Sequence, residues 1–196
     1  MDLLAKWRHE IATGEVRVLF LDECHLVWGD ICGYIWGSRK ERVEVPVKSE
    51  KERQTYFGAF DYHAKQFTLQ QHPTGNSDST VKFLKYLQEI NPDSRLYIIW
   101  DGVSYHRSVE VQEFLRSLNQ DLPPEQWAIT CVRLAPYAPE QNPVEDIWLQ
   151  AKNFIRQFYM LCKSFNIVKF LFEFAVNHQI FSFAKACMYD SCSQPI

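Results

Sequence analysis

At 196 residues and 23.2 kDa, with 46% hydrophobic and 15% aromatic residues, the chain suits one domain with a sizeable core and is too apolar for disorder. A formal charge of −3 and a pI near 6.1 argue mildly against non-specific nucleic-acid binding, which usually shows as a basic surplus. No apolar run is long enough to cross a bilayer and MDLLAKWRHE has no signal-peptide core, so a cytoplasmic location is expected.

Residues 1–14 read as a lead-in segment, 15–160 as the main domain and 161–196 as a helical extension packed on it. EVRVLFLDE is a β-branched, doubly apolar strand expected to end at Asp22-Glu23. CHLVWGDICGYIWG follows with Gly29, Gly33 and Gly37 as turn or bulge points, and ERVEVPV alternates as a half-exposed strand does. Trp28 and Trp36 read as packing residues. After the charged turn KSEKERQ, TYFGAFDYHAKQFTLQQ supplies one or two further strands of an antiparallel meander.

PTGNSDST reads as a loop closing on a helix cap, and VKFLKYLQEI is helical, with Val81, Phe83, Leu84, Leu87 and Ile90 recurring on one face until Asn91-Pro92. RLYIIWDG is a second buried strand with Asp101 at its carboxyl end; HRSVEVQEFLRSLNQ makes the next helix and DLPPEQWAITCVRLAP a turn and a strand. In LAPYAPEQNPVEDIW, Asn142 is a good N-cap, Pro143 fits the first helical position, and Glu145 falls in the first turn. Asn142-x-x-Glu145 also has the form of a capping box, which would occupy the glutamate locally. Ile147, Trp148, Ala151, Phe154, Ile155 and Phe158 follow at helical spacing, and FNIVKFLFEFAVNHQIF is a very apolar final helix.

This order implies an α/β, ribonuclease H-like mixed sheet, an antiparallel meander plus parallel strands flanked by helices. Its first and fourth strands lie side by side, so Asp22 and Asp101 become neighbours. Six cysteines show no zinc-site spacing and read as free, mostly buried thiols. Three acids at element ends suit a different ion. Mg²⁺ or Mn²⁺ prefers hard oxygen ligands, and two such ions about 3.5–4 Å apart can stabilise both oxygens of a phosphodiester displacement. Asp22, Asp101 and Glu145 make up that inventory, although acids at strand ends also occur without any such role.

FLDE (20–23), WDGVSYH (100–106) and LAPYAPEQNPVEDIW (134–148) resemble, in order and context, the three motifs of mariner-type DDE transposases, specifically the bacterial insertion-sequence branch called IS six-thirty. The resemblance runs from about Glu15 to Phe158 and implies that Asp22, Asp101 and Glu145 are catalytic and hold two Mg²⁺ ions, with Mn²⁺ able to substitute. It implies cleavage at transposon ends and transfer of the freed 3′-hydroxyl into target DNA, typically at TA. Glu23, His106 and Asn142 match positions that would support the acids or contact DNA, and a homo-oligomer on DNA is implied. Gly102, Ala135 and Ala138 depart from the family pattern, and 43 residues between Asp101 and Glu145 exceed its usual spacing.

Family members begin with a helix-turn-helix DNA-binding part, expected here from a separate frame or by fusion. The alternative is a non-catalytic or truncated remnant that only binds; a stand-alone structure-selective nuclease is a third reading. Arg39, Lys40 and Arg42, then Lys48, Lys51 and Arg53, then Lys152 and Arg156 are basic sets that read as solvated faces or, beside the acids, as phosphate contacts.

Overall fold

A computed structural model describes residues 2–33, 52–135, 139–177 and 181–188. The expected strand ERVEVPV (41–47), with Gly37, Trp36, Cys192, Tyr137 and the basic residues Arg39, Lys40, Arg42, Lys48 and Lys51, lies outside them. The described chain begins with two short helices, α1 (Asp2–Lys6) and α2 (Arg8–Thr13), the second closed by Gly14 at φ 83, a left-handed cap that glycine adopts without strain. Strand β1 (Val16–Val27) follows, then β2 (Arg53–Asp61), β3 (Gln66–His72) and helix α3 (Ser77–Glu89). The rest is β4 (Arg95–Trp100), α4 (Val109–Leu118), β5 (Ile129–Arg133), α5 (Pro143–Gln157) and α6 (Phe165–Val176).

The five strands form one sheet in the order β3-β2-β1-β4-β5. β1–β2 and β2–β3 pair antiparallel, β1–β4 and β4–β5 parallel, which gives the mixed ribonuclease H-like sheet. Side chains alternate across it. Val18, Phe20, Cys24 and Leu26 of β1 pack with Ile147, Trp148, Ala151 and Ile155 of α5 and with Phe165, Val168 and Phe172 of α6. Leu19 and Leu21 point the other way, joining Leu96, Ile98 and Trp100 of β4, Phe83, Leu84 and Leu87 of α3 and Val111 of α4. Each large side chain removed from water on either face contributes about 1.5–3 kcal/mol, so the sheet is held from both sides.

Several expectations are corrected. β1 does not stop at Asp22-Glu23: residues 23–27 continue the antiparallel ladder with 53–57 of β2 after β4 has ended. α3 starts at Ser77, because Asn76 accepts a bond from the Ser79 amide and makes Ser77 to Thr80 the first turn. His106 and Arg107 belong to a 3₁₀ turn (Ser104–Arg107), and Ser108 caps α4. Trp28 is buried, but Cys32 is an exposed thiol, as are the rings of Phe158, Phe170 and Phe174 on the apolar C-terminal helices. Lys152 pairs with Asp30 at 3.2 Å and Arg156 donates to the carbonyls of Asp30 and Cys32, so these cations clamp α5 to the turn after β1.

Candidate active site

Pleat and register bring the two aspartates together. Phe20 of β1 and Ile99 of β4 are parallel partners, so two residues further along each strand Asp22 and Asp101 come level. Phe20 and Ile99 face the α5 layer, and period-two alternation sends Asp22 and Asp101 to that face as well. Asp22 lies where β1 outruns β4, at the carboxyl ends of the parallel strands.

Glu145 arrives from the first turn of α5. The Asn142 side chain accepts from the Val144 amide at 3.1 Å and donates to the Leu21 carbonyl at 3.2 Å, fastening the helix start to β1 one residue before Asp22. Asn142 is only 3% exposed, so it acts on this junction and not on a ligand at the surface. The capping box does not form: among the described residues the Glu145 side chain returns no bond to the Asn142 amide, and it is exposed. One turn on, the Trp148 indole N–H donates to Asp22 Oδ2 at 3.0 Å. Gly58, the β2 partner of Asp22, makes that reach possible, because a Cβ there would stand 2.6 Å from the Trp148 ring and collide with Phe67.

The three acids feel one another. Burial, then Glu145, Glu23 and Asp101, raise the Asp22 carboxyl well above the ordinary carboxylate range, against the Trp148 hydrogen bond. Asp101 behaves in the opposite sense. Partial burial pushes it up, but His106, the Val103 amide and Arg133 outweigh that and hold it below its usual value.

His106 joins the two faces of the sheet. It is 4% exposed and stacks on Trp100 with ring centroids 4.3 Å apart and planes 7° from parallel. Its Nε2 lies 2.9 Å from Glu23 Oε1, while Nδ1 stands 3.3 Å from Asp101 Oδ1 in an ion pair whose alignment falls short of a hydrogen bond. Burial opposes the imidazolium, but Asp101 and Glu23 prevail and push its pKa up to about 9. Asp101 therefore has a fixed cation behind it, whereas among the described residues Asp22 has none.

For divalent cations the donors fit in kind, since they are carboxylate oxygens, and at Asp22 the repulsion of the neighbouring acids outweighs the hydrogen bond from Trp148. Among the described residues no three His, Cys, Asp or Glu side chains stand close enough to enclose an ion, so a cation would have to draw the acids together. Sequence reasoning missed Trp148 as the partner of Asp22, Gly58 as the space it needs, and Arg133 beside Asp101. Trp148 carries only a helix-face signal in sequence, and the other two no signal at all.

The family model described as DDE superfamily endonuclease matches residues 17–164. No curated protein matches the sequence. Among solved structures, the Mos1 mariner paired end complex with Mn is similar at 15% identity and a TM-score of 0.56, over 98% of this chain and 57% of that one. The simian T-cell lymphotropic virus intasome in complex with PP2A regulatory subunit B56 gamma is similar at 12% identity and a TM-score of 0.55, over 91% of this chain and 54% of that one. The HTLV-2 integrase catalytic core domain in complex with magnesium is similar at 14% identity and a TM-score of 0.51, over 86% of this chain and 93% of that one. The chain thus spans 54–58% of the intasome and Mos1 chains that it resembles in fold. No helix among the described residues is long and apolar enough to cross a membrane.

Proposed function

The chain belongs to the DDE endonuclease superfamily, and on that premise we propose that it is the catalytic domain of a mariner-type transposase of the bacterial insertion-sequence branch. In this reading it cuts DNA at transposon ends in the cytoplasm and joins the freed 3′-hydroxyl to a TA target. It would do so as a homo-oligomer, with a helix-turn-helix part supplied separately or by fusion. The observation that carries the reading is that Asp101 and Glu145, from two other elements, stand near enough to Asp22, at the carboxyl ends of the parallel strands, to help raise its carboxyl.

Those three residues would hold two Mg²⁺ or Mn²⁺ ions, whose chemistry is to neutralise charge on the entering and leaving oxygens of the phosphodiester and to make the nucleophile. The chain's own residues set the frame. Asn142 fixes the start of α5 against β1, Trp148 orients one oxygen of Asp22, and the Glu23–His106 pair holds Asp101 ionised and aimed. Incubation with transposon-end DNA, the terminal-repeat-binding part and Mn²⁺ tests the reading. Strand cleavage is expected, with its loss in Asp22→Ala, Asp101→Ala and Glu145→Ala alike; an active triple variant defeats it.

One observation favours a second reading, a non-catalytic remnant that only binds: among the described residues no three candidate ligands are gathered around a point. Calorimetric titration separates the two. Heat of Mn²⁺ binding that disappears in Asp22→Asn supports the enzyme, and silence at millimolar Mn²⁺ supports the remnant.

A further inference from the structure

Arg133 closes β5 directly beside the end of β4, where it is the parallel partner of Trp100, and the Leu134 amide then bonds the Trp100 carbonyl at 2.8 Å. Its guanidinium therefore sits next to the loop that starts with Asp101. The group lies across Gly102: a Cβ on that glycine would stand 2.6 Å from Cζ of Arg133 and collide with Nε and Nη2. An alanine, and still more the asparagine that the resembling family commonly carries here, would have to push the guanidinium off this path.

Among the described residues, four other cations near the site are already engaged. Lys152 holds Asp30, Lys185 holds Asp146 at 2.9 Å, Arg156 holds two carbonyls, and His106 is held between Glu23 and Asp101. Arg133 differs. It is exposed, and among the described residues no carboxylate lies within ion-pair distance of it, although it is near enough to Asp101 to help hold that carboxyl low. An arginine whose planar fork of N–H donors stays open, at the mouth of a cluster of acids, suits a phosphodiester better than a protein partner, because two of its donors match two phosphate oxygens at once.

Resting on the nucleic-acid reading above, we infer that Arg133, given its path by Gly102, is a phosphate-binding residue that seats the substrate strand beside Asp101. It compensates locally for the acidity of the whole chain, supplying positive charge where the backbone of the strand would approach Asp101.

The test is fluorescence anisotropy of the full chain on a random-sequence duplex oligonucleotide in EDTA, repeated between about 50 and 200 mM salt. Arg133→Gln is expected to weaken binding about fivefold to tenfold at the low-salt end and to flatten the slope of log affinity against log salt by about 0.9, the loss of one phosphate contact. Arg133→Lys keeps the slope and loses part of the affinity, and Gly102→Asn behaves like Arg133→Gln. A purely structural arginine would leave the slope where it was. Equal slopes in wild type and Arg133→Gln overturn the assignment while leaving nucleic-acid binding intact. A wild-type chain that binds no duplex overturns both. Arg133 is exposed, so melting temperatures of the variants should agree with wild type; a variant that unfolds while Arg133→Lys binds with an unchanged salt slope and Gly102→Asn matches wild type also counts against it.

Discussion

Asp22 and Asp61 lie on neighbouring strands only three register steps apart, one paired with Gly58 and the other with Leu19, yet their surroundings are opposite. Asp61 is ringed by donors. Arg17 reaches its Oδ2 at 2.9 Å, and the amides of His63 and Ala64 reach Oδ1 at 3.0 and 2.8 Å, closing the turn between β2 and β3. Among the described residues Asp22 has one donor, the Trp148 indole, and three acids within electrostatic range. Asp61, which the fold uses, is surrounded by hydrogen-bond donors, whereas Asp22, proposed to take an outside cation, is surrounded by other carboxylates. The comparison can be broken by experiment.

The largest effect is expected at Asp22. Asp22→Asn keeps an acceptor for Trp148 but removes the charge, and cleavage should fall about 1,000-fold or more, some 4 kcal/mol of barrier. Activity within tenfold of wild type in a strand-cleavage assay would show that the crowding of acids serves no cation. Asp61→Ala is the mirror experiment. Two amides and a guanidinium lose their acceptor, so unfolding should become easier by about 2–3 kcal/mol, roughly 5–10 °C in a melt.

His106 gives the comparison a pH axis. Its pKa is raised from 6.5 to about 9 in the fold, so the stability it contributes is fully present below pH 6.5 and is lost as pH rises toward 9. The loss should be on the order of 2–3 kcal/mol over that window, and denaturant titrations of His106→Gln should lack it. Burial holds the thiol of Cys24 at about 12, so the free thiol does not titrate there in the folded state. Asp22 runs the other way. A carboxyl raised in the fold penalises folding above its folded pKa, a penalty relieved as pH falls through that value, so Asp22→Asn should raise the melting temperature at neutral pH, by about 2–4 °C. One residue would then combine lost activity with gained stability, a pairing that a structural acid does not give.

Much of this was legible in the sequence because the decisive signals are local. Runs apolar on both faces mark β1 and β4 as central strands, Asn142-Pro143 marks the start of α5, and their order implies which strands adjoin. What escaped depends on contacts between distant segments. β1 passes Asp22 because residues of β2, more than thirty positions away, continue its ladder. Trp148 shows helical spacing and nothing more; that its indole turns to Asp22 follows from the missing Cβ of Gly58 on a third element. Arg133 looks in sequence like the polar end of any strand, and only the parallel register with β4 puts it beside Asp101.

The smallest expected effect separates two acids that sequence alone leaves equivalent. Glu145 and Asp146 are consecutive in the first turn of α5, where the helix dipole favours both. A helix turns about 100° per residue, so they leave it in different directions. Asp146 meets Lys185, 2.9 Å away on the segment after α6, whereas Glu145 is exposed and contributes to the field at Asp22. The Asp146 pair is partly open to water, its side chains 34% and 19% exposed, so solvent screening limits it to about 0.5–1 kcal/mol. Asp146→Asn should therefore lower the melting temperature by only about 1–3 °C and leave strand cleavage within about twofold of wild type. Glu145→Gln should do the reverse, leaving the melt unchanged and removing cleavage. If Asp146→Asn were the variant that lost cleavage, the helical phase that assigns Glu145 to the site would be wrong by one residue.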